Sequence, residues 1–213
     1  MAGKNFLSTS RPVVTVNAKE LLRELTVDRP NSRSMAMALR SLMEPKIQER
    51  QRELIKEFDS HPITIELNAG PKAGNTSGTL GGYGNLFSFI GFSSGDNPTA
   101  VISRIFKEKI KFQVRRVTSS GKYKVTFYIP SLDEIYGFTP IPWMTGKSWA
   151  KSIEEGGLTN LGQYLYSSSG FDGSSSGTGI QAKNRSSGVT FRRTPYVGKM
   201  IRNFKKRLLS LDK

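Results

Sequence analysis

Ile110-Lys111-Phe112-Gln113-Val114-Arg115-Arg116-Val117, then Thr118-Ser119-Ser120-Gly121, then Lys122-Tyr123-Lys124-Val125-Thr126-Phe127-Tyr128-Ile129: two alternating runs around a turn decide the fold class of this chain. Alternation has the period of a strand, and Thr-Ser-Ser-Gly between the runs is hairpin chemistry. The pattern puts Phe112 and Val114 on one side with Val125 and Phe127, and points Lys111, Arg115, Lys122 and Lys124 elsewhere. The hairpin is long and basic. Its flanks carry helical stripes, so the expected class is α+β: an antiparallel sheet packed by an N-terminal helix, a short helix and a C-terminal amphipathic helix, with long Gly/Ser loops.

Upstream of the hairpin, Asp96-Asn97-Pro98 reads as a helix start, and Val101, Ile102, Ile105 and Phe106 carry the stripe to about Lys109. Leu86, Phe87, Phe89, Ile90 and Phe92 form a buried apolar segment behind a loop at Gly70 to Gly84 that holds six glycines. In Pro62 to Asn68, Ile63, Ile65 and Leu67 alternate with Thr64 and Glu66, which predicts a half-buried strand. Met35, Leu39, Leu42, Met43, Ile47, Leu54, Ile55 and Phe58 predict a helix from Asn31 or Ser32 to about Ser60. Pro45 interrupts that stripe, predicting either a kink or two helices meeting at Glu44. Residues 1–30 read as an arm docking on a neighbour, with a short strand at Val13, Val14 and Val16 and a turn of helix through Leu21, Leu22 and Leu25.

Downstream, Pro130, Pro140 and Pro142 punctuate an irregular stretch. Thr145 and Ser148 then cap a helix expected over Lys147 to Glu155, ending at Gly156 and Gly157. The domain reading is an arm at 1–30 and a single α+β domain at 31–213, with extended loops at 69–84 and 167–179.

Charge points to the kind of partner. Of the formal net charge of +15, nine come from Gly179 to Lys213, where ten cations face Asp212 alone. Such asymmetry implies a polyanion or an acidic protein nearby. Val197, Met200, Ile201, Phe204, Leu208 and Leu211 recur at helical spacing there, with Lys199, Arg202, Lys206 and Lys213 on the opposite side. Lys183, Arg185, Arg192, Arg193, Lys199, Arg202 and Lys206 are the candidates for facing DNA or an acidic neighbour. Five phosphate contacts would give binding a salt slope of roughly −4 to −5, with no sequence information in it. No zinc finger, helix-turn-helix or aromatic RNA-binding signature accompanies the charge. Tyr164, Tyr166 and Phe171 read as packing residues rather than base-stacking ones.

The catalytic inventory is thin. The chain has no cysteine, which removes disulfides, thiolate nucleophiles and sulfur-ligated metals. Its one histidine, His61, lies beside Pro62 and reads as a structural residue between a helix and a strand. No Gly-x-Ser-x-Gly elbow occurs. Gly146-Lys147-Ser148 matches the end of a phosphate-binding loop, but Ile141 stands where its first glycine belongs. Gly81, Gly82 and Gly84 do not space as a dinucleotide fingerprint. The adjacent pairs Asp133-Glu134 and Glu154-Glu155 read as surface acidity, because neighbouring side chains on one element point apart. We therefore expect no catalytic residue, cofactor or metal. With no run of 18 apolar residues and no secretory leader, we also expect no membrane, with assembly inside a cell.

The order of parts resembles a known family. An Arg/Glu-rich helix is followed by Asn75-Thr76-Ser77-Gly78-Thr79-Leu80 leading into an apolar segment, then a basic hairpin, then Thr194-Pro195-Tyr196 opening a C-terminal amphipathic helix. This is similar to the tail-completion or neck proteins of tailed bacteriophages. Pro142-Trp143-Met144-Thr145-Gly146-Lys147-Ser148-Trp149 and Gly157-Leu158-Thr159-Asn160-Leu161-Gly162-Gln163-Tyr164-Leu165 also resemble segments of phage virion proteins. The resemblance covers roughly residues 34 to 211; the Gly- and Ser-rich insertions and Pro45 depart from it. It implies a non-enzymatic virion subunit in the head-to-tail connection, assembled in the host cytoplasm. Its partners would be itself in a homo-oligomeric ring, a head-tail adaptor or portal-side protein, a tail terminator or tail tube protein, and packaged DNA bound nonspecifically. Two other readings stand beside it: a nonspecific nucleic-acid-binding protein acting outside any particle, and a nuclease using Asp133, Glu134 and a divalent ion.

Overall fold

The computed structural model describes residues 15–17, 32–80, 85–116, 123–142, 144–156 and 193–211. They form an α+β fold. Three strands, β1 (Thr15–Asn17), β2 (Lys111–Arg116) and β3 (Tyr123–Tyr128), make an antiparallel sheet in the order β1-β3-β2. The hairpin register is the one its alternation requires: Phe112 faces Phe127 and Val114 faces Val125. Val125 and Phe127 are fully buried, and Phe112 and Val114 pack against the same core. Of the N-terminal arm, the described part is β1. It pairs with β3 of its own chain, Val16 opposite Val125.

The sheet is covered by α1 (Ser32–Asp59), which runs unbroken through Pro45. The alternative of two helices meeting at Glu44 is thus overturned. Leu39 and Met43 before the proline and Ile47, Leu54 and Phe58 after it are all buried on one stripe. Burying one such side chain stabilises by about 1.5–3 kcal/mol, so the stripe outweighs the roughly 3 kcal/mol that an interior proline costs.

The expected strand at Pro62 to Asn68 is a helix, α2 (Pro62–Asn68). Ile63 and Leu67, read as alternating partners, are also one helical turn apart, and both are fully buried together with Thr64 and Glu66. Ile65, the middle residue of the apparent alternation, is 45% exposed. Local capping agrees: Pro62 occupies the first turn and the His61 ring accepts a hydrogen bond from Ile63 N at 3.3 Å.

The apolar segment is α3 (Leu86–Ile90), capped by Asn85 and closed by Gly91 in the left-handed region at φ 89°. Glu66, fully buried, ties the preceding loop to it by accepting from Ser77 N and Leu86 N, each at 2.7 Å. The helix expected from Asp96-Asn97-Pro98 is α4 (Ala100–Glu108), two residues later than the proline; the Asn97 side chain accepts from Ala100 N at 3.2 Å. Gln51 of α1 donates to the Phe106 and Lys107 carbonyls at its C-terminal end.

After the hairpin come α5 (Leu132–Gly137), β4 (Pro140–Ile141) and β5 (Met144–Ser148). The helix expected over Lys147 to Glu155 starts later. Lys147 and Ser148 belong to β5, Ser148 caps α6 (Trp149–Lys151), and a π turn over Ser152–Gly156 completes it. The last element, α7 (Val197–Leu209), follows the periodicity, burying Val197, Met200, Ile201, Phe204 and Leu208 against α1. Residues of α1, α4, the hairpin and α7 share one core.

Candidate polyanion or partner interface

The cationic face of α7 is a site only insofar as the helix is held in place. Its first residues lack a cap of their own: Tyr196 precedes the helix with no side-chain hydrogen bond to it. Glu154, 42 positions upstream in the π turn, supplies the missing acceptor. Its Oε1 accepts from Tyr196 N at 2.7 Å and from Gly198 N at 2.9 Å, and Oε2 accepts from Gly198 N at 3.0 Å. The Tyr136 hydroxyl of α5 donates to Oε2 at 2.6 Å. A carboxylate there satisfies orphan N–H groups and meets the positive end of the helix. A Cβ on Gly198 would lie 3.1 Å from Oε1 and 3.2 Å from Oε2, so a side chain there would press on the carboxylate.

Aromatic packing fixes the same end. Tyr196 is fully buried, stacked on Phe58 with ring centroids 5.8 Å apart, and its hydroxyl pairs with Thr64 Oγ1 at 2.7 Å. Burial, more than any neighbour, pushes the phenol pKa of both Tyr136 and Tyr196 well above the ordinary value. His61 lies 4.9 Å from the Tyr196 ring, between centroids. Burial lowers its pKa below 6.5, against a raising contribution from a hydrogen bond to the Pro195 backbone. His61 thus caps α2 and joins two helices rather than a helix and a strand.

The other end of α7 is tied to α1. Arg207 Nη2 meets Glu57 Oε2 at 2.5 Å, its Nε lies 3.8 Å from Glu53 Oε2, and Asn203 Nδ2 donates to Glu57 Oε1 at 3.1 Å. Arg207 is therefore neutralised within the fold.

Lys199, Arg202 and Lys206 stand exposed at i, i+3 and i+7 on α7, and Arg193 is exposed in the segment leading in. Those are four of the seven candidate residues. Lys183, Arg185 and Arg192 lie outside the described residues, as do Tyr164, Tyr166, Phe171 and the 167–179 loop. Arg202 acts on the Tyr136 phenol against the raising effect of burial, and Lys151 sits 6.0 Å from the same ring, so these two cations stand beside the Glu154 carboxylate at the start of α7.

Gly146-Lys147-Ser148 is strand, with Gly146 at φ 76°, and not the loop of a phosphate cradle. Asp133 and Glu134 are exposed in the first turn of α5, Glu134 paired with Lys109 at 2.6 Å. Glu155 is exposed and 3.6 Å from Lys151, as surface acidity should be, whereas Glu154 departs from that reading. Among the described residues, no three of His, Asp and Glu gather as a metal-ligand set, and no helix is long and apolar enough to cross a membrane. Sequence reasoning missed Glu154, Tyr136, Glu53 and Glu57; only chain folding brings them to α7. No protein-family model, curated protein or solved structure matches this chain.

Proposed function

We propose that this chain is a structural subunit, not an enzyme, of a tailed-bacteriophage virion. In that role it forms a homo-oligomeric ring in the head-to-tail connection, between an adaptor or portal-side protein and a tail terminator or tail tube protein. Arg193, Lys199, Arg202 and Lys206, with Lys183, Arg185 and Arg192, face packaged DNA or an acidic neighbour.

The observation that carries the reading is the seating of α7, clamped by Glu154 at one end and by Glu57 and Glu53 at the other while its cations point outward. A cation row on a pre-ordered helix attracts a passing polyanion without a folding cost, and it carries no base information, which suits DNA that moves. The sequence resemblance supplies the particle.

Mass photometry of the purified protein, alone and with adaptor or tail partners, tests the ring. A discrete multi-copy species is expected, and a strict monomer under every condition refutes it. The same cation row favours a second reading, a nonspecific nucleic-acid-binding protein acting outside a particle. That reading requires tight, salt-sensitive binding of free DNA by the lone subunit and no fixed oligomer.

A further inference from the structure

We propose that the solvent face of the β1-β3-β2 sheet, opposite α1, is a second cationic surface that binds the phosphate backbone of DNA. Lys111, Arg115 and Lys124 carry it.

The register puts Arg115 directly opposite Lys124, and Lys111 opposite Tyr128, on the face away from Phe112, Val114, Val125 and Phe127. Lys111, Gln113 and Arg115 are exposed, and Lys124, Thr126 and Tyr128 are partly so. Like charges directly across a ladder repel, at Cβ separations of about 5 Å, and a fold gains nothing from them by itself. The three strands contain no acidic residue, and none of the ion pairs among the described residues involves these three cations.

Protection of an open sheet edge is the ordinary reason for a lysine or arginine on a strand. It accounts for Lys111 and Arg115, because β2 lies at the end of the strand order. It does not account for Lys124, which sits on the central strand between β1 and β2.

The rest of the face selects among anionic partners. Gln113, Thr126 and Tyr128 are hydrogen-bonding side chains, the Tyr128 hydroxyl donating to Gln113 at 3.0 Å. The exposed large apolar side chains, Met37, Ile65, Phe138 and Leu209, all lie elsewhere. A protein partner wants an apolar centre depleted of charge in its patch, whereas contacts to nucleic acid are polar, cation-rich and wet. Two cations side by side, with a third about 13 Å along the strand, fit a run of phosphates better than a single small anion. The proposal is independent of the ring and of α7.

The test uses the full chain and a fluorescein-labelled mixed-sequence DNA duplex, followed by anisotropy across a salt series. Replacing Lys111, Arg115 and Lys124 by Gln together is expected to weaken binding at least about tenfold at low salt and to make the log–log salt slope shallower by about 2 to 3. The same variant is expected to unfold at an equal or higher urea concentration than the parent, because the Arg115–Lys124 repulsion is gone. An unchanged slope overturns the proposal, and so does a variant that is destabilised, which would make the cations structural. Labelled poly-glutamate is the second arm: equal binding, equally lost in the variant, would assign the face to an acidic protein and overturn the DNA reading. Mass photometry of the variant keeps failure of the ring distinguishable from failure of this face.

Discussion

Replacing Glu154 by Ala is the most revealing single change, because one carboxylate serves three donors from two distant segments. Loss of a helix cap costs about 0.5–2 kcal/mol, and leaving a partly buried hydroxyl such as that of Tyr136 without its acceptor costs about 1–3 kcal/mol. Glu154 is only partly buried, so water replaces some of what is lost, and we expect a net destabilisation of about 2–4 kcal/mol. For a chain of 213 residues that is a fall in Tm of about 5–15 °C. Urea and thermal unfolding, followed by circular dichroism and by fluorescence of the buried Trp149, give both numbers. Glu154→Gln keeps one acceptor and should lose roughly half as much. Tyr136→Phe combined with Glu154→Ala should show a coupling above about 0.5 kcal/mol. If Glu154→Ala unfolds within about 0.5 kcal/mol of the parent, the carboxylate does not hold α7, and the pre-ordered cation row loses its footing.

Three further outcomes follow from the same contacts. Gly198→Ala should destabilise by about 1 kcal/mol in the parent, although alanine is the better helix former, and should become neutral or stabilising once Glu154 is Ala; urea midpoints of the four variants decide it. Arg207→Ala should cost about 1 kcal/mol at low salt, since both partners are roughly a third exposed, and less at 1 M salt, measured as a shrinking gap between urea midpoints. The lowered pKa of His61 means that the folded state binds fewer protons than the unfolded one below about pH 6.5, so its contribution is intact above that pH and lost as pH falls. His61→Asn keeps a capping oxygen and should flatten the stability profile between pH 7 and 5 relative to the parent. A parallel profile would show that burial does not hold the His61 imidazole neutral against the opposing pull of the Pro195 backbone, Glu154 and Glu57.

Strand pairing in the hairpin was legible because alternation and a short turn leave one register that buries Phe112, Val114, Val125 and Phe127 together. The amphipathic stripe of α7 was legible for the same reason, since a period of 3.6 residues leaves one buried face. Pro62 to Asn68 was misread because residues 63 and 67 satisfy both periods, and only the burial of Thr64 and Glu66 separates them. Of the candidate interface, the cations of α7 could be found from charge and spacing alone.

By itself the sequence determined the class of the fold, the faces of its periodic elements and the sign of its charge, all consequences of local spacing and composition. Only the tertiary structure decided that α1 continues through Pro45, that Glu154 rather than a local residue caps α7, and that Arg207 is paired with Glu57 while Lys199, Arg202 and Lys206 stand exposed. These depend on which distant groups share a surface, and an interaction of a few kcal/mol between residues 42 or 150 positions apart leaves no periodic trace in the chain.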